Sequence, residues 1–323
     1  MKDIRAHLSG PMDEVTSLMA ASLRTSVSLL EKTNEELLGD RGKMMRPILC
    51  LLAAGACGGI NSDTVHFAAA SELLHNATLM HDDVVDGATL RRGKPTVGAI
   101  LGHKASVLIG DYWLVKAMDC LVDASDGGVK VQSVFSKTLS DLAEGEMLQL
   151  EKAMKHDTTQ EDYIRIIYRK TASLFESSAR SGAISAGTSE EMVETIGCFA
   201  RNLGIAFQIK DDILDYVPSD ALGKPSGQDL MEQKITQPLL CVLERMDADE
   251  ASRLRLKLSE VPGNPALASE IGGAVVSMGG VELASAVMDS YIEKALLCLS
   301  SLPESKEKYY LARLVRYVGE RSF

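Results

Sequence analysis

Apolar residues recur along this chain at three- and four-residue intervals for almost its whole length. Short polar or glycine-bearing segments break the pattern, which predicts on the order of ten or more amphipathic helices. Pro11 suits a helix start, with Val15, Leu18, Met19 and Leu23 on one stripe. Arg41-Gly42 interrupts the pattern, Pro47 fits the first turn of a second helix, and Gly58-Gly59 closes it. Ser62 or Asp63 is the expected cap of the next helix. Further helices are expected over 107–122, 129–152, 161–185 and 190–216, separated by Gly127-Gly128 and Asp157-Thr158-Thr159. A polar loop is expected over 218–227, and helices then continue to near Gly319. The segment 87–95 reads as loop, and no period-two alternation lasts long enough for a sheet. The fold class is all-α.

Composition sharpens this reading. Of 323 residues, 46% are hydrophobic, enough for a sizeable core, and only 5% are aromatic. That balance favours helix over sheet. No linker, Pro-rich tract or low-complexity run marks a boundary, so a single domain over 1–323 is expected. The net charge of −11 argues against nucleic acid or an anionic membrane as partner. Any attraction for a phosphate ester must then come from local Lys, Arg and metal charge. The six cysteines show neither C-x-x-C nor zinc spacing and read as reduced core thiols. Residues 1–11 hold no apolar signal core, and the uncharged run 47–61 is too short to span a bilayer. A soluble, cytoplasmic protein without a transmembrane segment is expected.

Two copies of one acidic pattern carry the chemistry. Asp82-Asp83-Val84-Val85-Asp86 and Asp211-Asp212-Ile213-Leu214-Asp215 are both D-D-x-x-D, each at the end of an apolar helical stretch. On a helix, residues i and i+4 share a face, so each motif brings like charges together within about one turn. Gln208, Asp211, Asp212 and Asp215 share one face, and His75, Asp82 and Asp86 fit another stripe. Hard divalent cations bound through oxygen relieve such repulsion, and Mg²⁺ characteristically shares carboxylates with substrate phosphates. Arg91-Arg92-Gly93 follows the first motif and suits guanidinium–phosphate pairing.

With these residues in view, a resemblance becomes specific. Residues 79–93 (LMHDDVVDGATLRRG) and 207–216 (FQIKDDILDY) resemble the two aspartate-rich motifs of the trans-isoprenyl diphosphate synthases. The similarity runs in order through Gly42-Lys43-Met44-Met45-Arg46-Pro47, Gly110-Asp111, Glu144-Gly145-Glu146, Lys170-Thr171-Ala172 and Gly223-Lys224. Within the family the chain most resembles the long-chain polyprenyl synthases of quinone biosynthesis. Four positions depart from the pattern: Arg41 and Gln233 stand where glycines are usual, Ile235 stands where a proline is usual, and Gln228 replaces an acid.

The resemblance implies a single large helical bundle of the isoprenoid synthase type with a central active-site cavity, in a homodimer. It implies head-to-tail condensation of isopentenyl diphosphate with an allylic diphosphate, farnesyl or geranylgeranyl, to an all-trans polyprenyl chain. Asp82, Asp86 and Asp211 would bind Mg²⁺ directly, three ions in all, with Asp83, Asp212 and Asp215 as further ligands or supports. Lys43, Arg46, His75 and Arg92 match the isopentenyl diphosphate site. Arg91, Lys170, Thr171, Gln208, Lys224 and Lys234 match contacts to the allylic diphosphate. Ala77, Leu74 and Ser71 match the wall along which the product grows. Ala77 and Ser71 are small, which points to hexaprenyl through decaprenyl products. The alternatives are a short-chain synthase, a class I terpene cyclase and a non-catalytic subunit of a partner synthase. A cyclase needs no second diphosphate site, and an inert subunit need not keep both motifs.

Overall fold

The amphipathic spacing translates into helix nearly throughout. A computed structural model describes residues 1–40, 42–91, 93–125, 128–217 and 227–321. The first helices are α1 (Lys2–His7), α2 (Ser9–Ser22), α3 (Ser28–Gly39), α4 (Met45–Cys57) and α5 (Ser62–Val85). A hairpin of two-residue strands, β1 (Leu90–Arg91) and β2 (Lys94–Pro95), precedes α6 (Val97–Leu101), α7 (His103–Val122) and α8 (Gly128–Lys155). Next come α9 (Gln160–Ile167), α10 (Ser173–Ser185), α11 (Glu190–Tyr216), α12 (Gln228–Met231) and α13 (Gln237–Leu243). The last are α14 (Ala248–Ser259), α15 (Ala266–Ser277), α16 (Gly280–Leu299) and α17 (Lys306–Glu320). Among the described residues, no single helix is long and apolar enough to cross a membrane.

Contacts group the chain into two compact units. One is built from Met1–Lys137, Leu174–Gly197 and Leu302–Leu311, the other from Thr138–Ser173, Cys198–Ser301 and Ala312–Phe323. Each takes three separate segments, so no single cut in the sequence divides them and no linker announces them.

In the first unit, α5 runs along α7 and packs against α4 and α2. Its core holds Leu49, Leu51 and Leu52 of α4, Phe67, Leu73 and Leu74 of α5, and Trp113 of α7, all buried. Trp113 Nε1 donates to Asn34 Oδ1 at 2.8 Å, and Asn34 donates onward to the Leu23 carbonyl at 2.8 Å, so α3 is fastened through a satisfied buried polar pair. The cap of α5 is Asn61, not Ser62 or Asp63. Its side chain accepts from the Thr64 N–H at 3.0 Å, and the Thr64 hydroxyl accepts from the Asn61 N–H at 3.1 Å, a reciprocal capping box. Asp63 instead accepts the Ser125 N–H at 3.0 Å. Gly110 explains the close approach of α7 to α5: a Cβ there would lie 2.4 Å from His81 Nε2.

In the second unit, α13 packs on α16, α15 and α9, and α15 also meets α12 and α14. The stretch 161–185, which reads as one helix, is interrupted by a π-helical turn, Tyr168–Ala172. A π turn inserts one residue into a helix without breaking its apolar stripe for long, so hydrophobic spacing does not register it. The hairpin in 87–95 escapes sequence reading for a related reason, because two-residue strands carry no alternation.

Candidate active site

The first acidic motif ends α5. Asp82 is half-buried, Asp83 is buried and Asp86, the C-cap residue, is exposed. Asp83 is held by Arg91, whose Nε donates to its Oδ1 at 2.8 Å. That pair ties β1 back to α5, and the Ala88 N–H donating to the Asp83 carbonyl at 2.9 Å closes the turn between them. Within D-D-x-x-D the middle carboxylate therefore anchors the following loop, while Asp82 and Asp86 remain nearer solvent. Arg92 lies outside the described residues.

Residues matched to the isopentenyl diphosphate site lie in the same unit. Lys43 is exposed just before α4, behind Met44, whose φ of 48° places it in the left-handed region. Arg5 of α1 donates to the Gly42 and Lys43 carbonyls at 3.3 and 3.1 Å and so braces this turn, a contact no motif announces. The Arg46 guanidinium lies 5.0 Å from the Phe175 ring centroid, a cation–π contact that orients it. His75 is half-buried on α5, while Ser71, Leu74 and Ala77 are fully buried there. The Ser71 hydroxyl donates to the Ala68 carbonyl at 2.8 Å, so its own helix satisfies its polarity.

The second motif ends α11, and its three aspartates have distinct partners. Asp211, with 42% of its side chain exposed, accepts from Arg321 at 2.7 Å. Arg321 is anchored in turn by the Phe207 carbonyl at 2.8 Å and by the Phe207 ring, whose centroid is 3.8 Å from the guanidinium. Asp212 is 3% exposed and accepts from Tyr163 at 2.6 Å and from Gln208 at 2.9 Å. Burial pushes its carboxyl up to about 7, against the lowering effect of those donors. Asp215 accepts the backbone N–H groups of Gln228 and Asp229 at 3.1 and 3.0 Å, fixing the start of α12.

Basic residues at the π turn of this unit are clamped by acids. Lys170 pairs with Glu146 at 2.5 Å and Arg169 with Glu144 at 2.6 Å, which gives Glu144-Gly145-Glu146 a structural meaning. A Cβ on Gly145 would stand 2.7 Å from the Arg169 Cβ, so glycine lets α8 lie against the π turn. That turn carries Lys170 and Thr171, and the Thr171 hydroxyl donates to Gln208 Oε1 at 2.7 Å. Lys234 pairs with Glu232. Lys224 lies outside the described residues. Sequence reading missed Tyr163, Arg321 and Arg5, because the contacts that define them span long separations and no local spacing signals them.

The donor set fits a hard cation. It is all oxygen, with half-buried or exposed carboxylates in each motif, and among the described residues no three Asp, Glu, His or Cys side chains form a metal cage. Mg²⁺ asks for just this, since it keeps water and phosphate oxygens in its shell rather than filling it with protein.

An all-helical chain with D-D-x-x-D at the ends of two helices, and clamped lysine and arginine beside them, defines a class of enzyme: metal-dependent synthases acting on prenyl diphosphates. A model of the polyprenyl synthetase family matches residues 27–271, and the chain belongs to that family. It is 37% identical over 322 residues to the all-trans-nonaprenyl-diphosphate synthase (geranyl-diphosphate specific) of Rhodobacter capsulatus, covering 99% of this chain and 98% of that one. It is 36% identical to the octaprenyl diphosphate synthase of Escherichia coli K12, covering 96% and 95%. Among solved structures, a polyprenyl synthase from Caulobacter crescentus, complexed with calcium and isoprenyl diphosphate, superimposes with a TM-score of 0.91 at 31% identity, covering 99% of this chain and 97% of that one. The chain is accordingly a trans-prenyltransferase with the all-helical isoprenyl synthase fold.

Proposed function

We propose that this enzyme condenses isopentenyl diphosphate with an allylic diphosphate, farnesyl or geranylgeranyl, to make a long-chain all-trans polyprenyl diphosphate for quinone side chains. The observation that carries the reading is the pair of D-D-x-x-D motifs at helix ends, in which Asp83 and Asp212 are buried and hydrogen-bonded while Asp82, Asp86, Asp211 and Asp215 keep exposure. Asp82, Asp86 and Asp211 would hold Mg²⁺, three ions in the full complex, which neutralise the diphosphate as it leaves. Arg91, Lys170, Lys224 and Lys234 add positive charge to the same leaving group. Lys170 then exchanges Glu146 for phosphate oxygen, a stronger acceptor array. Lys43, Arg46, His75 and Arg92 seat isopentenyl diphosphate so that its double bond meets the ionising carbon. The oxygens of Thr171 and Gln208 face developing positive charge without attacking it. The departed diphosphate serves as base for the proton lost when the new alkene forms.

Small, buried Ala77 and Ser71 and the names of the relatives support a long product. The protein works in the cytoplasm as a homodimer. Leu108, Val115 and Val122 of α7, seven residues apart, are 59, 55 and 65% exposed and form an apolar stripe suited to a second copy. Of Tyr112, Leu114, Val115 and Met118, where sequence left core and interface both open, Val115 is the exposed one.

The test is turnover with labelled isopentenyl diphosphate, allylic primers and Mg²⁺, with products sized. Asp82→Ala and Asp211→Ala should each lower kcat at least about a hundredfold, the scale of losing one preorganised charge-stabilising group. Circular dichroism should stay unchanged. Near-normal Mg²⁺-dependent turnover in both variants would overturn the metal assignment.

A further inference from the structure

Asp212 is the least exposed carboxylate of the second motif, yet it sits next to Asp211 in sequence. Its two oxygens are engaged from opposite sides. Tyr163, a buried residue of α9, donates its hydroxyl to Oδ2 at 2.6 Å, and Gln208, one turn earlier on α11, donates its amide to Oδ1 at 2.9 Å. A buried carboxylate held by two donors is a fixed point, because moving it would leave those polar groups unpaired.

The direction of the bonds matters as much as their number. Gln208 turns its NH₂ toward Asp212 Oδ1. The Gln208 carbonyl oxygen then faces Thr171, whose hydroxyl donates to it at 2.7 Å. The proton of Thr171 is thereby committed inward, and its lone pairs point elsewhere. One ordered chain thus runs Tyr163 to Asp212, from Gln208 to Asp212, and from Thr171 to Gln208. It links α9, the metal-bearing end of α11 and the π turn that carries Lys170.

We propose that Tyr163 is a positioning residue for prenyl transfer: through Asp212 it fixes the seat of Asp211 and the orientation of Gln208 and Thr171. It touches no reacting atom. The inference rests on the assignment of this motif and of Lys170-Thr171 to the metal and allylic diphosphate.

Tyr163→Phe removes one oxygen and keeps the ring. The loss of a single charge-assisted hydrogen bond sets the expected scale at about tenfold. The KM for the allylic primer and the half-saturating Mg²⁺ concentration should rise by that factor, while the KM for isopentenyl diphosphate stays within about twofold. In the substrate-free chain, Mn²⁺ affinity read by electron paramagnetic resonance should fall in parallel. Combined with Thr171→Val, the loss should be clearly smaller than the product of the separate losses, because both act on one chain. Equal rises in both KM values, or strictly multiplicative losses with unchanged Mn²⁺ binding, would show a merely structural tyrosine and overturn the proposal. Should Tyr163→Phe not fold, 3-fluorotyrosine at position 163 reads the contact directly: its ¹⁹F resonance must shift as Mg²⁺ is titrated, and a fixed resonance overturns the proposal. A wild-type protein without condensation activity would instead sink the functional reading, and the Mn²⁺ isotherms would still decide the role of Tyr163.

Discussion

Gln233 shows how a single side chain settles a departure from a family pattern. Glycine is usual at this position, and Gln233 adopts φ 58°, a left-handed conformation that costs a side chain on the order of 1 kcal/mol. The amide offsets that cost: its Nε2 lies 3.0 Å from His156 Nε2, 3.3 Å from the Leu258 carbonyl and 3.2 Å from the Ser259 carbonyl. Burial, and then Arg255, lower the pKa of His156, so its ring stays neutral and can accept. Gln233→Ala keeps the backbone strain and loses the bonds, whereas Gln233→Gly loses the bonds but relieves the strain. In urea unfolding, the alanine variant should therefore be less stable than the glycine variant by about 1 kcal/mol. Equal stability of the two, or the reverse order, would refute this account. The aspartates make a parallel point. That both motifs are candidate metal sites is legible from like charges crowded on one turn, but which carboxylate serves as anchor is not. Asp83 and Asp212 were assigned that task by Arg91 and Tyr163, partners outside the motif.

At the scale of elements, α5 is the helix on which product length is argued. Ser71, Leu74 and Ala77 precede Asp82 on it, and Ser71 lies about 16 Å from Asp82 along an ideal helix at 1.5 Å per residue. Ala77→Tyr places a ring where the helix now offers a methyl group. The product should shorten to farnesyl or geranylgeranyl diphosphate, with the first condensation largely intact. An unchanged product distribution, or a wild-type product already that short, would sink the tunnel assignment. Elements were also where sequence reading did best and failed most informatively. The helices over 107–122 and 190–216 are present, as α7 and α11, because their stripes repeat over several turns. The start of α5 moved to Asn61 because Thr64 completes a box with it, whereas Asp63 turns to Ser125. The π turn beneath Lys170 went unread, since one inserted residue barely shifts a helical period.

For the whole molecule, the apolar stripe of α7 is a surface that a lone chain leaves exposed. Burying Leu108, Val115 and Val122 against a second copy removes them from water, a gain of roughly 1.5–3 kcal/mol per side chain if burial is complete. Light scattering should give twice the chain mass at micromolar concentration, and Val115→Glu should shift it toward the single-chain mass while circular dichroism is preserved. A wild-type protein of one chain's mass would refute the dimer. The sequence by itself determined the helical class, the order of the motifs and the kind of chemistry, because periodicity and charge crowding are local properties. It could not supply the division into units, since each unit is assembled from three distant segments. Nor could it assign the anchors of the second motif. Tyr163 reaches Asp212 across 49 residues and Arg321 reaches Asp211 across 110, and contacts that far apart in the chain exist only once the helices have packed.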